Sequence, residues 1–157
     1  MVAIRTVHLE DLPSAVEQIQ KWYLHEWPAW YGPGGPGDAQ SDLVNCVSTP
    51  GKLPKCLVAI DDRDQLLGTA SLKFKSPGSD QYPGAWLTAL LVPSKHRGSG
   101  IGTALVAAAE CEAKHLTFSS IHASTTTAHS LLKRNGWAHI DAIWSSGIRL
   151  EIYRKLL

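Results

Sequence analysis

Residues 85–105 read AWLTALLVPSKHRGSGIGTAL, and three kinds of local chemistry follow one another along them. Ala85 to Val92 is almost wholly apolar, the composition of a central strand covered on both faces, and Pro93, with no N–H to give to a ladder, ends it. From Ile101 onward Ala104, Leu105, Ala108 and Cys111 recur at helical spacing through about Lys114. Between strand and helix lies Arg97-Gly98-Ser99-Gly100-Ile101-Gly102, at a helix amino terminus where unpaired N–H groups and the positive end of the helix dipole converge. Glycines let the backbone approach a ligand with no Cβ in the way, so the stretch predicts a seat for a phosphate or pyrophosphate. A Rossmann loop begun at Gly98 would need glycine at Thr103, and a Walker A loop would need a following Gly-Lys-Ser/Thr; the sequence has neither.

Outward from this unit the chain alternates strands and helices. Upstream, Val2 to Val7 alternates like a half-buried strand, and Leu9-Glu10-Asp11-Leu12-Pro13 opens a helical pattern through Ala15, Val16, Ile19 and Trp22. Residues 25–37, HEWPAWYGPGGPG, are rich in glycine, proline and aromatics, and predict a loop without regular structure. A short helix is expected from Asp38, its cap, to Val47, followed by a hairpin of Lys55–Ile60 and Leu66–Lys75 and a second Pro/Gly loop over 76–84. Downstream, a strand at Phe118–Ala123, a helix at Thr126–Arg134 closed by Asn135-Gly136, and strands near Trp137–Trp144 and Ile148–Arg154 complete a mixed sheet with helices on both faces. His122 and His129 read as packing or surface residues.

With 157 residues the chain has the size of one domain, expected to span 1–157. Its 44% hydrophobic and 18% charged residues are ordinary for a soluble protein, no apolar run is long enough for a membrane span, and the amino terminus shows no signal-peptide pattern, so a cytoplasmic location is expected. A net charge of +1 with scattered Lys and Arg gives nucleic-acid binding no support. Cys46, Cys56 and Cys111 contain no C-x-x-C pair and read as free thiols, and no His/Cys cluster has metal-ligand spacing.

The pattern Arg97-x-x-Gly100-x-Gly102 after Leu91-Val92-Pro93 resembles the acetyl-coenzyme A signature of the GNAT N-acetyltransferase superfamily. The resemblance extends from the first strand to Arg134-Asn135-Gly136-Trp137, where the family often has a Gly-Phe pair. It implies an α/β fold with a mixed, mostly antiparallel central sheet, helices on both faces and a splayed pair of strands holding acetyl-CoA. It also implies that Leu90, Leu91 and Val92 meet the pantetheine arm by backbone, and that Arg97, Gly98, Ser99, Gly100, Ile101, Gly102 and Thr103 surround the pyrophosphate. The implied activity is transfer of an acetyl group to a primary amine of a small molecule in a ternary complex. A protein or peptide N-acetyltransferase and a catalytically weak CoA-binding sensor are the alternatives, and a homodimer is left open.

Three residues common in that family are replaced. Where a glutamate is usual on the strand before the signature stand Trp86 and Thr88, and where a tyrosine meets the departing thiolate stands Leu132; Thr125 takes a position often held by asparagine. Candidates for proton transfer therefore come from loops, Glu26, Asp80 and Tyr82 among them, with His25 and Asp38 nearby in sequence, while Ser124 and Thr125 are the hydroxyls available to the leaving sulfur. Trp27, Trp30, Tyr31, Trp86 and Thr88 are the expected acceptor contacts, ring faces suiting an ammonium group.

Overall fold

The computed structural model describes residues 3–157, so Val2 of the first expected strand lies outside the described residues. The remainder of that strand is β1 (Arg5–His8). Two short 3-10 turns lead into α1 (Val16–Glu26), followed by α2 (Pro28–Tyr31), α3 (Ala39–Val47), β2 (Lys55–Ile60), β3 (Leu66–Lys73) and β4 (Ala85–Leu91). Then come α4 (Ile101–His115), β5 (Ser120–Thr125), α5 (His129–Arg134), β6 (Ala138–Ser145) and β7 (Ile148–Leu156).

One sheet runs in the order β1-β2-β3-β4-β5-β7-β6; its pairs are antiparallel except β4 with β5, which is parallel. Alternation along the strands divides the core between two faces. Leu57 and Ala59 of β2 and Ala85 and Leu87 of β4 join Leu105, Val106, Ala109 and Ala113 of α4 and Leu132 of α5 in one cluster. On the opposite face Cys56, Val58 and Ile60 join Ile19 and Tyr23 of α1 and Leu43 and Cys46 of α3. A Cβ on Gly68 of β3 would stand 3.0 Å from Ile101 Cγ2 and 3.1 Å from Leu105 Cδ1, so this glycine is what lets the first turns of α4 lie close on the sheet. Among the described residues no helix is long and apolar enough to cross a membrane.

The structure departs from the sequence reading in several places. Residues 25–37 are not wholly irregular: α1 runs through Glu26, and Pro28 opens the single turn of α2 at the position where its missing N–H costs nothing. Asp38 caps α3 as expected, its Oδ1 accepting from Ser41 N at 3.0 Å. Helix α5 begins at His129 rather than Thr126, because Thr125 Oγ1 accepts from Thr127 N (3.1 Å) and Ala128 N (2.8 Å) and holds the preceding residues in a turn. Strand β4 is not buried along its whole length: Thr88, Ala89 and Leu90 are half-exposed, for the reason described next.

Candidate active site

β4 and β5 pair only at Ala85–Ile121 and Trp86–His122, although β4 continues to Leu91 and β5 to Thr125. Beyond those two rungs the strands fork. On its other side β4 carries a bulge: Thr69 pairs with Leu91 and Ser71 with Thr88, so three steps of β4 match two of β3, and Ala89 takes a left-handed φ of 51°. A bulge leaves its extra residue outside the ladder and turns the local backbone groups. The fork is therefore bordered by backbone amides and carbonyls of Thr88–Leu91 with no strand opposite, a lining that can pair with an extended polar ligand.

The glycine loop sits at the end of β4. Gly98 and Gly100 have φ of 79° and 83°, in the left-handed region that disfavours any side chain, and Cβ atoms built on them would meet nothing within 4 Å. Gly102 differs: its φ is ordinary, and a Cβ there would stand 3.2 Å from Leu131 Cδ2, so it serves the contact between α4 and α5. Gly100 caps α4 without any side-chain hydrogen bond, so the first-turn N–H groups of this fifteen-residue helix face outward uncapped. Arg97 Nε donates to Val92 O at 2.8 Å, and its guanidinium lies 3.7 Å from Glu26 Oε1. Uncapped amides, an open cradle beside two positive-φ glycines, a basic side chain and the unladdered fork together fit a coenzyme A diphosphate and its pantetheine arm.

Since Ala85 and Leu87 face α4, Trp86 and Thr88 face the other side of the sheet. There Trp86 and His122 stack at 5.1 Å with a 23° tilt, Tyr82 stacks on His122 at 5.6 Å and 29°, and Trp86 Nε1 donates to Tyr82 O at 2.8 Å. The Tyr82 hydroxyl donates to Asp141 Oδ2 at 2.7 Å, which holds that carboxyl below its ordinary range and raises the phenol. Ser124 Oγ lies 3.4 Å from Ser76 Oγ across the same face. His122 and Tyr82 are thereby brought together at the fork, with Thr88 two residues beyond Trp86 on the same side of β4.

The other expected residues are placed elsewhere. Glu26 is exposed at the end of α1, beside Arg97, and Asp80 is exposed on the loop over 76–84. Trp27 and Tyr31 pack on the buried Tyr23, with ring centroids at 5.4 and 5.1 Å, and the Tyr31 hydroxyl donates to Asp42 Oδ2. Trp30 is half-exposed and lies against Gly37. Leu132 is 1% exposed in the core, so no proton donor stands at that position. A concavity of about 470 Å3 lined by His8, Glu10, Lys55 and Glu112 belongs to the far end of α4, roughly 15–20 Å along the helix from the glycine loop. His122 was not among the expected site residues; a histidine between Ile121 and Ala123 was its only signal in the sequence.

The model of the Acetyltransferase (GNAT) family matches residues 16–137. Solved structures share the whole architecture at low identity. One is an acetyltransferase of the GNAT family from Staphylococcus aureus Mu50, 18% identical with a TM-score of 0.72, covering 98% of this chain and 99% of that one. Another is an aminoglycoside 6'-N-acetyltransferase complexed with coenzyme A, 16% identical with a TM-score of 0.76, covering 98% and 96%. An aminoglycoside 6'-acetyltransferase type Ii is 18% identical with a TM-score of 0.73 over the same shares. No curated protein matches the chain at a significant level. Because the matched residues run from the first helix through the forked strands and the glycine loop to Trp137, the chain belongs to the GNAT acetyltransferase family and is an N-acetyltransferase that takes its acyl group from acetyl-CoA.

Proposed function

We propose that the acceptor is a primary amine of a small molecule, acetylated while both substrates are held together on the enzyme. The observation that carries this reading is the ring stack beside the fork: Tyr82 folds down on His122 and Trp86, so the loop over 76–84 closes one end of the acceptor face. A face closed in this way suits a compact acceptor better than an extended peptide. The likeness to two aminoglycoside acetyltransferases agrees with it.

Bound acetyl-CoA supplies the acetyl group as a thioester. The chain's own part is to hold, align and move a proton. The uncapped amides of α4 and the Gly98–Gly102 backbone bind the diphosphate, and the free backbone of Thr88–Leu91 fixes the arm, converting an encounter of two molecules into one of fixed geometry. N–H groups that the bulge at Ala89 turns out of the ladder would polarise the carbonyl oxygen. An alkylamine, with a pKa near 10.4 for a lysine side chain, must lose a proton before it can attack. Exposed carboxylates such as Glu26 and Asp80 lie outside the ring stack and can pass that first, ammonium proton only to solvent, and the Ser124 and Thr125 hydroxyls can return one to the sulfur.

An acceptor screen with a free-thiol readout tests the reading across amine, amino-acid and peptide panels. Polyamines, aminosugars or arylalkylamines are expected to release CoA fastest. Turnover confined to peptides would replace the reading with protein acetylation, and tight CoA binding with no turnover in any panel would place the acceptor outside all three classes.

Transfer is expected to proceed without an acyl-cysteine. Cys46 and Cys56 are buried, and Cys111, though exposed, lies ten residues into α4, about 15 Å from the glycine loop. Intact-mass measurement after incubation with acetyl-CoA alone should give no adduct; an adduct that chases into acetylated product would overturn direct transfer.

A further inference from the structure

Among the described residues, only three buried side-chain polar atoms have no hydrogen-bond partner: Thr88 Oγ1 and both ring nitrogens of His122. Buried polar atoms are nearly always paired, so orphans call for an explanation, and it is telling that all three sit on one face of the sheet. His122 is 4% exposed and occupies the last rung before β5 leaves β4, directly opposite Trp86. Thr88 is two residues further along β4 on the same side, just beyond that last rung at the mouth of the fork. Stacking on Trp86 and Tyr82 occupies the faces of the imidazole and fixes its plane, while its nitrogen-bearing edge remains without a partner.

We propose that His122 is the base that takes the proton from the acceptor amine, with Thr88 Oγ1 holding the amine beside it. The inference rests on the small-molecule reading given above. In the step, the neutral amine, its ammonium proton already lost to solvent, bonds through nitrogen to the acetyl carbon, and the carbon–sulfur bond breaks with its electron pair remaining on sulfur. The proton released from nitrogen passes to the unprotonated ring nitrogen of His122. Its delivery to sulfur, or exchange of both sites with solvent, returns the enzyme to its starting state. No oxidant or further reactant is needed.

The surroundings keep the ring ready for this. The charged and titratable groups facing it are Arg154, its partner across β7, and Tyr82 in the covering loop, which is tied to Asp141 of β6; β4 presents only Trp86 and Thr88. Burial, and then the Arg154 charge, pull the His122 pKa below the ordinary histidine value of 6.5. The ring is therefore neutral at neutral pH and has one nitrogen free to accept. A loop carboxylate on an exposed side chain has no such confinement.

The test uses His122→Phe, which keeps the stack and removes both nitrogens, and His122→Gln, which keeps a polar group that does not titrate. Both are expected to bind CoA as the parent does and to lose kcat by about 100- to 1,000-fold with the best amine of the screen, as loss of a general base does. The parent's kcat should fall on acidification through the depressed histidine pKa, and that acid limb should vanish from the residual activity of His122→Gln. Thr88→Val should raise the amine KM with little change in kcat. Near-parental turnover in both histidine variants, or an unchanged acid limb in His122→Gln, would overturn the proposal. A second measurement needs neither variant nor acceptor: 15N-imidazole NMR of the parent with CoA bound should show His122 as a single neutral tautomer at pH 7, and a protonated ring would overturn its role as base. Failure of every amine in the screen, with a neutral His122, would instead sink the choice of acceptor.

Discussion

Gly100→Val is expected to reduce CoA affinity about 100-fold or more, equivalent to roughly 2.7 kcal/mol, while leaving the protein folded. Two effects reach the same residue by different routes. At φ 83° any Cβ is strained, by about 1–2 kcal/mol, and in a chain of this length that lowers Tm by roughly 2–8 °C. The side chain itself, however, would enter open space rather than protein, since nothing lies within 4 Å of the built Cβ. It would occupy the approach to the uncapped α4 amides, the seat proposed for the diphosphate. Calorimetric titration with CoA reads the binding and thermal melting reads the fold. Gly102→Ala is the contrast: its Cβ presses on the movable end of Leu131 and leaves the loop amides free, so most of the affinity should survive. Unchanged affinity in folded Gly100→Val would make the loop a simple turn.

The largest expected loss of stability comes from the opposite end of α4. Lys55 is 1% exposed, and its ammonium donates to Glu10 Oε1 at 2.6 Å; His8 lies 3.3 Å from the same oxygen and 2.9 Å from Glu112 Oε2. This chain of groups ties β1 and the turn after it to β2 and α4. Glu10→Ala strands a buried ammonium and is expected to cost about 3–5 kcal/mol, a drop in Tm of roughly 6–20 °C. Replacing both partners, Glu10→Leu with Lys55→Met, should recover much of that loss because no charge is then left buried. The hydrogen bond from Lys55 lowers the Glu10 pKa in the folded protein, with the Lys55 and His8 charges adding to it. A depressed carboxyl pKa stabilises fully above the unfolded value, about 4.3, and the contribution is lost as pH falls through the folded value. The Tm gap between parent and Glu10→Gln should therefore be widest near neutrality and close in acid, and a gap independent of pH would show that the ion pair contributes nothing.

Strand, glycine loop and helix could be read directly from residues 85–105 because each signal there is local: an apolar run, glycines at set positions, a helical period. The fork could not be read this way. Whether Thr88–Leu91 are covered depends on where β5 turns away after His122, and no residue within β4 encodes that. The same holds for His122, whose neighbours Tyr82 and Trp86 reach it only through the β4–β5 register and the folded loop over 76–84. Composition misled at Pro28, which reads as a breaker but is harmless at the first position of a helix. Trp27 and Tyr31 sit in a stretch that looks like exposed loop, yet two rings of that stretch are drawn onto Tyr23 by the apolar area they bury together. Glu10 and Lys55, forty-five residues apart, become partners only when β1 pairs with β2.

The two rungs that join β4 to β5 also divide the molecule mechanically. β1 to β4 form one leaf of the sheet and β5, β7 and β6 the other, and across the fork they are joined by the rungs Ala85–Ile121 and Trp86–His122, by the helices packed beneath, and by the loop over 76–84, which reaches Asp141, His122 and Ser124. On the reading proposed above, an extended arm seated in the fork would take the place of a missing strand and join the two leaves. Stabilisation by such a ligand grows with the logarithm of its concentration, reaching about 2.7 kcal/mol at a hundredfold excess over Kd. On that reading the supply of the acyl donor, as well as the chain itself, would set how rigidly the two leaves are joined.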